Sequence, residues 1–207
     1  PENAEADLLT KKFGLHKDDY ICALSRLTEE KGIHYLIEAY QNVKTDKKLV
    51  IAGDTSDTDD YVMKLKKLAG NNPNIIFTGF VSGKLLEEIY SNAYVYVLPS
   101  KLEGMPLSLL EAMSYGNCVI GSDIAEIADV VEDKAILFKK ANVEDLKEKL
   151  QMVCDDVELV EKYKNEASGY ICGRYNWEDV VNRTVEVYRG KKSCKEKLVE
   201  NSSVASI

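Results

Sequence analysis

The chain has 207 residues, 45% of them hydrophobic and 30% charged, with a formal net charge of -8. That length and apolar content suit one compact globular domain with tails. An acidic surface repels nucleic acid and anionic lipid, and no apolar run approaches the ~18 residues of a membrane span, so neither nucleic acid nor direct membrane insertion is expected.

Apolar runs alternate with amphipathic stretches from residue 20 onward. Tyr20–Leu24 reads as a buried strand. Gly32 to Val43 is helical, with Ile33, Leu36, Ile37 and Tyr40 on one face. Leu49–Ala52 is the next strand, broken by Gly53-Asp54. Tyr61 to Ala69 is a helix stopped by Gly70. Ile75–Phe77 is a short strand closed by Thr78-Gly79. Lys84 to Ser91 is a helix, and Tyr94–Leu98 a strand ending at Pro99. A helix runs from Pro106 to about Tyr115, with proline in its first turn and Gly116 past its end. Cys118–Gly121 and Ala135–Phe138 are strands. Val143 to Val153, Glu158 to Ser168 and Glu178 to Tyr188 read as helices. Residues 190–207 lose periodicity and read as a flexible tail.

Strands this continuously apolar, alternating with helices, predict an α/β fold: a doubly wound, Rossmann-like parallel sheet of about six strands. Ligands of such sheets bind beyond the carboxyl ends of the strands, at the switch point. The loops there carry the candidate residues. Cys22, Cys118, Cys154, Cys172 and Cys194 form no CxxC pair and suit a reducing cytoplasm. His16 and His34 lack metal-ligand spacing, so neither a metal nor a cofactor is expected. The initial Pro1 raises the expectation of a piece of a longer protein.

Ser25-Arg26-Leu27-Thr28-Glu29-Glu30-Lys31-Gly32 follows the first strand. Arg26 and Lys31 could neutralise a diphosphate, or be solvated charges answered by Glu29 and Glu30. No GxGxxG or Walker A pattern follows this strand. Gly53 is either a close-approach glycine or a simple turn. Phe80 and Val81 could border a nucleobase or tuck into the core. Glu103 precedes a helix start, and Gly104 would let a ligand approach the backbone. Backbone N–H groups of Met105 and Leu107, beside Pro106, suit an anion at the helix end. Glu111 lies in that helix; a carboxylate there can accept both hydroxyls of a ribose diol. Each carboxylate also has a plain reading, Glu103 as a helix-dipole partner and Glu111 as a surface residue.

The order Ser-Arg-Leu-x-x-x-Lys-Gly, Ile-Ala-Gly-Asp, Phe-Thr-Gly-Phe-Val and Pro-Ser-x-x-Glu-Gly-Met-Pro-Leu-Ser-Leu-Leu-Glu-Ala-Met resembles the C-terminal domain of glycosyltransferase family 4. Gly116 to Ile124 and Tyr175-Asn176-Trp177-Glu178 continue the resemblance, which covers roughly residues 20 to 190. It implies one half of a GT-B fold that binds a UDP-, GDP- or ADP-linked sugar and transfers it with retention, without a metal. Arg26 and Lys31 would hold the diphosphate, Glu103 the sugar hydroxyls and Glu111 the ribose. Ser25, Gly53, Gly104, Met105, Pro106 and Leu107 would line the donor, with Phe80 and Val81 at the base.

Residues 1–19 would then be a linker from an absent N-terminal acceptor domain, and 20–189 the donor domain. The whole protein would act in bacterial-type polysaccharide synthesis, cytoplasmic or peripheral at the membrane. This chain alone would turn over little. Three departures stand out: Ser25 for the usual glycine, Ala93-Tyr94 for Ala-Asp, and Ala125–Asp129 for a turn containing proline or glycine. Two other readings are a GT-B sugar-nucleotide epimerase and a non-enzymatic nucleotide-binding or docking module.

Overall fold

The computed structural model describes residues 1–54, 59–175 and 177–189; the tail read over 190–207 lies outside the described residues. Six apolar runs form parallel strands: β1 (Tyr20–Leu24), β2 (Lys48–Ala52), β3 (Ile75–Gly79), β4 (Val95–Leu98), β5 (Cys118–Ser122) and β6 (Ile136–Phe138). Their order is β3-β2-β1-β4-β5-β6. The order reverses between β1 and β4, so the sheet is doubly wound with its switch point there.

The chain divides into two compact units, Pro1–Ile171 and Cys172–Ile207. The first holds the sheet, helices α1 (Asp7–Phe13), α2 (Ile33–Tyr40), α3 (Asp59–Ala69), α4 (Lys84–Asn92), α5 (Leu107–Ser114), α6 (Ala125–Val131) and α7 (Val143–Asp155), and most of α8 (Val157–Arg174). The described part of the second is the end of α8 and α9 (Trp177–Tyr188).

Period-two alternation sorts the strand residues between two buried faces. Ile21, Leu49, Ile51, Val95 and Val97 join Leu36 and Ile37 of α2, Leu65 of α3 and Leu146 and Leu150 of α7 in one cluster. Each such side chain, buried in full, stabilises the fold by about 1.5–3 kcal/mol. The intervening residues face α4, α5 and α6. The Tyr20 hydroxyl donates to the Ile89 carbonyl at 2.7 Å. A Cβ on Gly121 would meet Ile127 Cγ2 at 2.7 Å, so a glycine lets α6 lie close to β5.

Several element ends differ from the sequence reading. β3 runs on through Gly79, with a register shift that pairs Ile51 with Phe77 but Ala52 with Gly79. Such a bulge re-aims the chain that follows, here Phe80-Val81. Ala125–Val131 forms α6, an element the sequence reading leaves out. Its apolar residues Ile127, Val130 and Val131 are buried, but at seven residues it is too short for a clear period. Pro106 sits at the cap position rather than in the first turn of α5.

Asp7–Phe13 is a further helix that the sequence reading leaves unassigned. It docks on α4 through polar contacts. The Leu9 N–H donates to Glu88 Oε2 at 2.8 Å, so Glu88 satisfies a first-turn donor of α1 from another helix. Ala4 N–H donates to Ser91 Oγ at 2.9 Å, and Asn92 Nδ2 donates to the Ala4 carbonyl at 2.9 Å. Glu88 is fully buried. Its replacement by alanine should strand the Leu9 donor and lower stability by about 1–3 kcal/mol. Glu88→Gln keeps an acceptor and should retain most of it. Urea midpoints of both variants check this; equal midpoints for Glu88→Ala and wild type would refute the role.

Candidate functional site

The loops after β1 and β4 flank the switch point, and side chains join them across it. After β1 the chain crosses Ser25–Thr28, makes a single 3-10 turn at Glu29–Lys31 and enters α2 through Gly32. Gly32 holds φ +66, and a Cβ there would lie 2.1 Å from the Pro99 carbonyl oxygen. The first loop therefore lies against the end of β4. Lys101 N–H donates to the Glu30 carbonyl at 2.7 Å, which ties the two loops by backbone as well.

That packing carries Lys31 to Glu103. Lys31 Nζ lies 2.8 Å from Glu103 Oε1, with side-chain exposures of 16% and 6%. The Ser100 hydroxyl donates to the same oxygen at 2.6 Å. Ser122 Oγ, at the end of β5, donates to the Ser100 carbonyl at 2.5 Å and steadies that segment. A carboxylate this buried needs both partners, because an unpaired one is strongly unfavourable. An ammonium has three donors, so Lys31 keeps capacity for an anion beyond this pair.

The neighbouring loops join the same edge. Ser25 N–H donates to Ala52 O at 3.1 Å, Leu27 N–H to Asp54 O at 3.1 Å, and Gly53 N–H to Gly79 O at 2.9 Å. Gly53 holds φ +134, and a Cβ on it would stand 1.8 Å from the Ser25 carbonyl oxygen. Ser25 Oγ donates to the Arg26 carbonyl at 3.0 Å. Arg26 itself is exposed. Phe80 and Val81 part company: Phe80 is 76% exposed, while Val81, at 8%, is tucked into the fold.

At the start of α5, Pro106 has φ -78 and ψ 68. The Leu107 N–H donates to the Met105 carbonyl at 2.8 Å. These values describe an inverse γ-turn centred on Pro106. The turn engages the Leu107 N–H, one of the two donors the sequence suggested for an anion. Nothing lies within 4 Å of a Cβ built on Gly104, so the space beside it is open. Met105 and Leu107 are exposed.

Two tyrosines hold α5, and the sequence reading misses both. Tyr96 of β4 donates its hydroxyl to the Leu24 carbonyl at 3.0 Å. A carbonyl only accepts, so the 2.8 Å contact between Tyr96 Oη and Ser108 Oγ has the serine as donor. Tyr96 thereby links the root of the first loop to the first turn of α5. Tyr90 of α4 donates to Glu111 Oε2 at 3.0 Å. Burial first, then nearby Tyr96 and Glu111, pushes the Tyr90 phenol far above its ordinary range, so it remains a donor. Burial does the same to Tyr96. In sequence both residues look like core positions. The one available hint is that a buried tyrosine hydroxyl must find a partner.

His34, in the first turn of α2, stands beside this edge. Its Nδ1 is 2.7 Å from the Tyr61 hydroxyl. Burial, then Lys64 and Lys101, moves its pKa below the ordinary histidine value. Among the described residues no group of three or more His, Cys, Asp or Glu is placed to hold a metal ion.

The fold and site define a doubly wound α/β domain whose loops are joined by a Lys–Glu ion pair where the strand order reverses. The model of the family "Glycosyl transferases group 1" matches residues 6–170, and the chain belongs to that family. It is 32% identical over 184 residues to the uncharacterized glycosyltransferase MJ1607 of Methanocaldococcus jannaschii, covering 86% of this chain and 47% of that protein. The alpha-D-kanosaminyltransferase of Streptomyces kanamyceticus is 25% identical over 186 residues, 87% of this chain and 48% of the enzyme. The chain thus spans about half the length of the curated relatives it matches. Among solved structures, Anabaena Alr3699/HepE in complex with UDP-glucose superposes with a TM-score of 0.81 at 19% identity, over 88% of this chain and 52% of that one. That likeness shows a shared fold.

Proposed function

We propose that this chain is the donor-binding half of a retaining glycosyltransferase of family 4, which takes a nucleoside-diphosphate sugar and acts with an N-terminal acceptor domain in the whole protein. The observation that carries the proposal is the Lys31–Glu103 pair, at 2.8 Å, which joins the two loops on either side of the switch point. A cation and a carboxylate there suit the two ends of one ligand, a diphosphate and a sugar. The UDP-glucose complex of Anabaena Alr3699/HepE supports a nucleotide sugar as the ligand class.

The proposed division of labour rests on the family resemblance and is supported by where the loops meet. Lys31 meets the diphosphate and the charge that grows on it as the bond to the anomeric carbon breaks. Arg26, exposed on the same loop, adds a planar fork of donors for phosphate oxygens. Their charges do the work that a metal ion does in other transferases. Glu103 accepts from sugar hydroxyls, and the open space beside Gly104 admits the sugar against the backbone. Glu111 accepts from the ribose. Phe80, exposed just after the bulge in β3, offers a face to the base. Gly53 lets the first and second loops close on one another. Residues 1–19 connect to the acceptor half, and a whole enzyme of this kind would work on the cytoplasmic side in polysaccharide assembly.

Calorimetric titration with UDP, GDP and ADP tests the reading and identifies the base. One of the three should bind, and Arg26→Ala should weaken it roughly tenfold or more, the loss of a charge-assisted contact. Binding of none, or binding untouched by Arg26→Ala and Lys31→Ala together, would sink the donor-site reading and leave a docking module.

A further inference from the structure

Glu111 lies on an exposed part of α5, where a glutamate ordinarily samples several rotamers. Here Oε2 accepts from the Tyr90 hydroxyl at 3.0 Å. That phenol is itself held in place by burial and ring contacts. Tyr90 is 1% exposed. Its ring stacks on Tyr115 at 5.5 Å between centroids with 14° between planes, and lies tilted against Tyr96 at 6.0 Å. The two rings fix where the hydroxyl stands, and the hydroxyl fixes the carboxylate.

We infer that Tyr90 is a positioning residue for ribose recognition: its buried hydroxyl holds Glu111 in the rotamer that presents the remaining carboxylate oxygen to the ribose hydroxyls. The inference rests on the proposed role of Glu111. Each carboxylate oxygen can accept two hydrogen bonds, so the bond from Tyr90 leaves room for a diol. Holding the rotamer before the ligand arrives removes an ordering loss from binding. Tyr96 acts one step further back. Through Ser108 it fixes the first turn of the helix that carries Glu111.

The test compares UDP with 2′,3′-dideoxy-UDP by calorimetry on the full chain, with the GDP and ADP pairs run in parallel. Wild type should prefer the ribose form. Tyr90→Phe, which keeps both ring contacts, should weaken the ribose form about three- to tenfold, as expected for one hydrogen bond, and leave the dideoxy form unchanged. In a Glu111→Ala background Tyr90→Phe should add nothing. Equal weakening of both ligands would mark a merely structural tyrosine and overturn the inference, as would no weakening at all. If wild type binds nucleotide without preferring ribose, the reading of Glu111 fails and takes this one with it. Ribose preference that survives Tyr90→Phe overturns this inference alone.

Discussion

Gly53→Ala should cost the fold roughly 3–5 kcal/mol, the sum of a strained backbone and an overpacked contact. The new Cβ would stand 1.8 Å from the Ser25 carbonyl oxygen, on a backbone with φ +134 that side-chain-bearing residues rarely adopt. Both obstacles are backbone, so no rotamer change relieves them. The chain must instead part the first and second loops, breaking the Leu27 N–H to Asp54 O bond between them. Gly32→Ala should behave alike, since its Cβ would meet Pro99 O at 2.1 Å at φ +66. Against a total stability of about 5–15 kcal/mol, either change removes a large share. Gly104→Ala is the control. Its Cβ meets nothing, so stability should stay within about 0.5 kcal/mol while donor-sugar binding weakens if the sugar lies against that backbone. Urea denaturation followed by circular dichroism decides. A Gly53→Ala midpoint equal to wild type would show that the loops are not locked as described.

On the proposed function, Lys31→Ala should abolish the preference for the bound nucleoside diphosphate over its monophosphate and reduce the proposed sugar transfer by the whole protein roughly 10²-fold, the usual loss when one stabiliser of developing negative charge is removed. Its removal also leaves Glu103, with a side chain 6% exposed, holding only the Ser100 hydroxyl. Stability should fall by up to about 3 kcal/mol. The double variant Lys31→Ala/Glu103→Ala should recover part of that stability and none of the binding, which separates the structural from the functional share. Lys31→Arg should not restore function, because a planar fork does not replace a compact ammonium in so enclosed a contact. Titrations with the matching nucleoside di- and monophosphates (UDP and UMP, GDP and GMP, ADP and AMP) provide the readout. An undiminished preference for the diphosphate in Lys31→Ala would remove Lys31 from the proposed diphosphate site.

The six strands were legible because parallel strands covered on both faces are continuously apolar, and Tyr20–Leu24 or Cys118–Gly121 could be little else. Helices with a wide apolar stripe, such as α2 and α7, were legible for the same reason. Short α1 and α6 were not. Asp7–Phe13 has one buried side chain, Leu9, and its docking depends on Glu88, which is distant in sequence. The resemblance carried in Ser25–Gly32 and Ser100–Glu111 named the candidate residues, but local spacing left each with a plain alternative.

By itself the sequence determined the strand and helix alternation, and hence a doubly wound sheet with its candidate residues at the carboxyl edge. It also placed Arg26, Lys31 and Glu103 on loops at that edge and Glu111 within the helix that follows. Only the tertiary structure decided which of them meet. Lys31 and Glu103 are 72 residues apart and come together because β1 and β4 are neighbours and Gly32 lets their loops touch. Phe80 and Val81 are adjacent in sequence and were read as a pair, yet the chain leaving the bulge exposes one and buries the other. The Tyr90 hydroxyl found Glu111 through packing of α4 against α5. Pair contacts of this kind depend on strand order and loop closure, which no local pattern encodes.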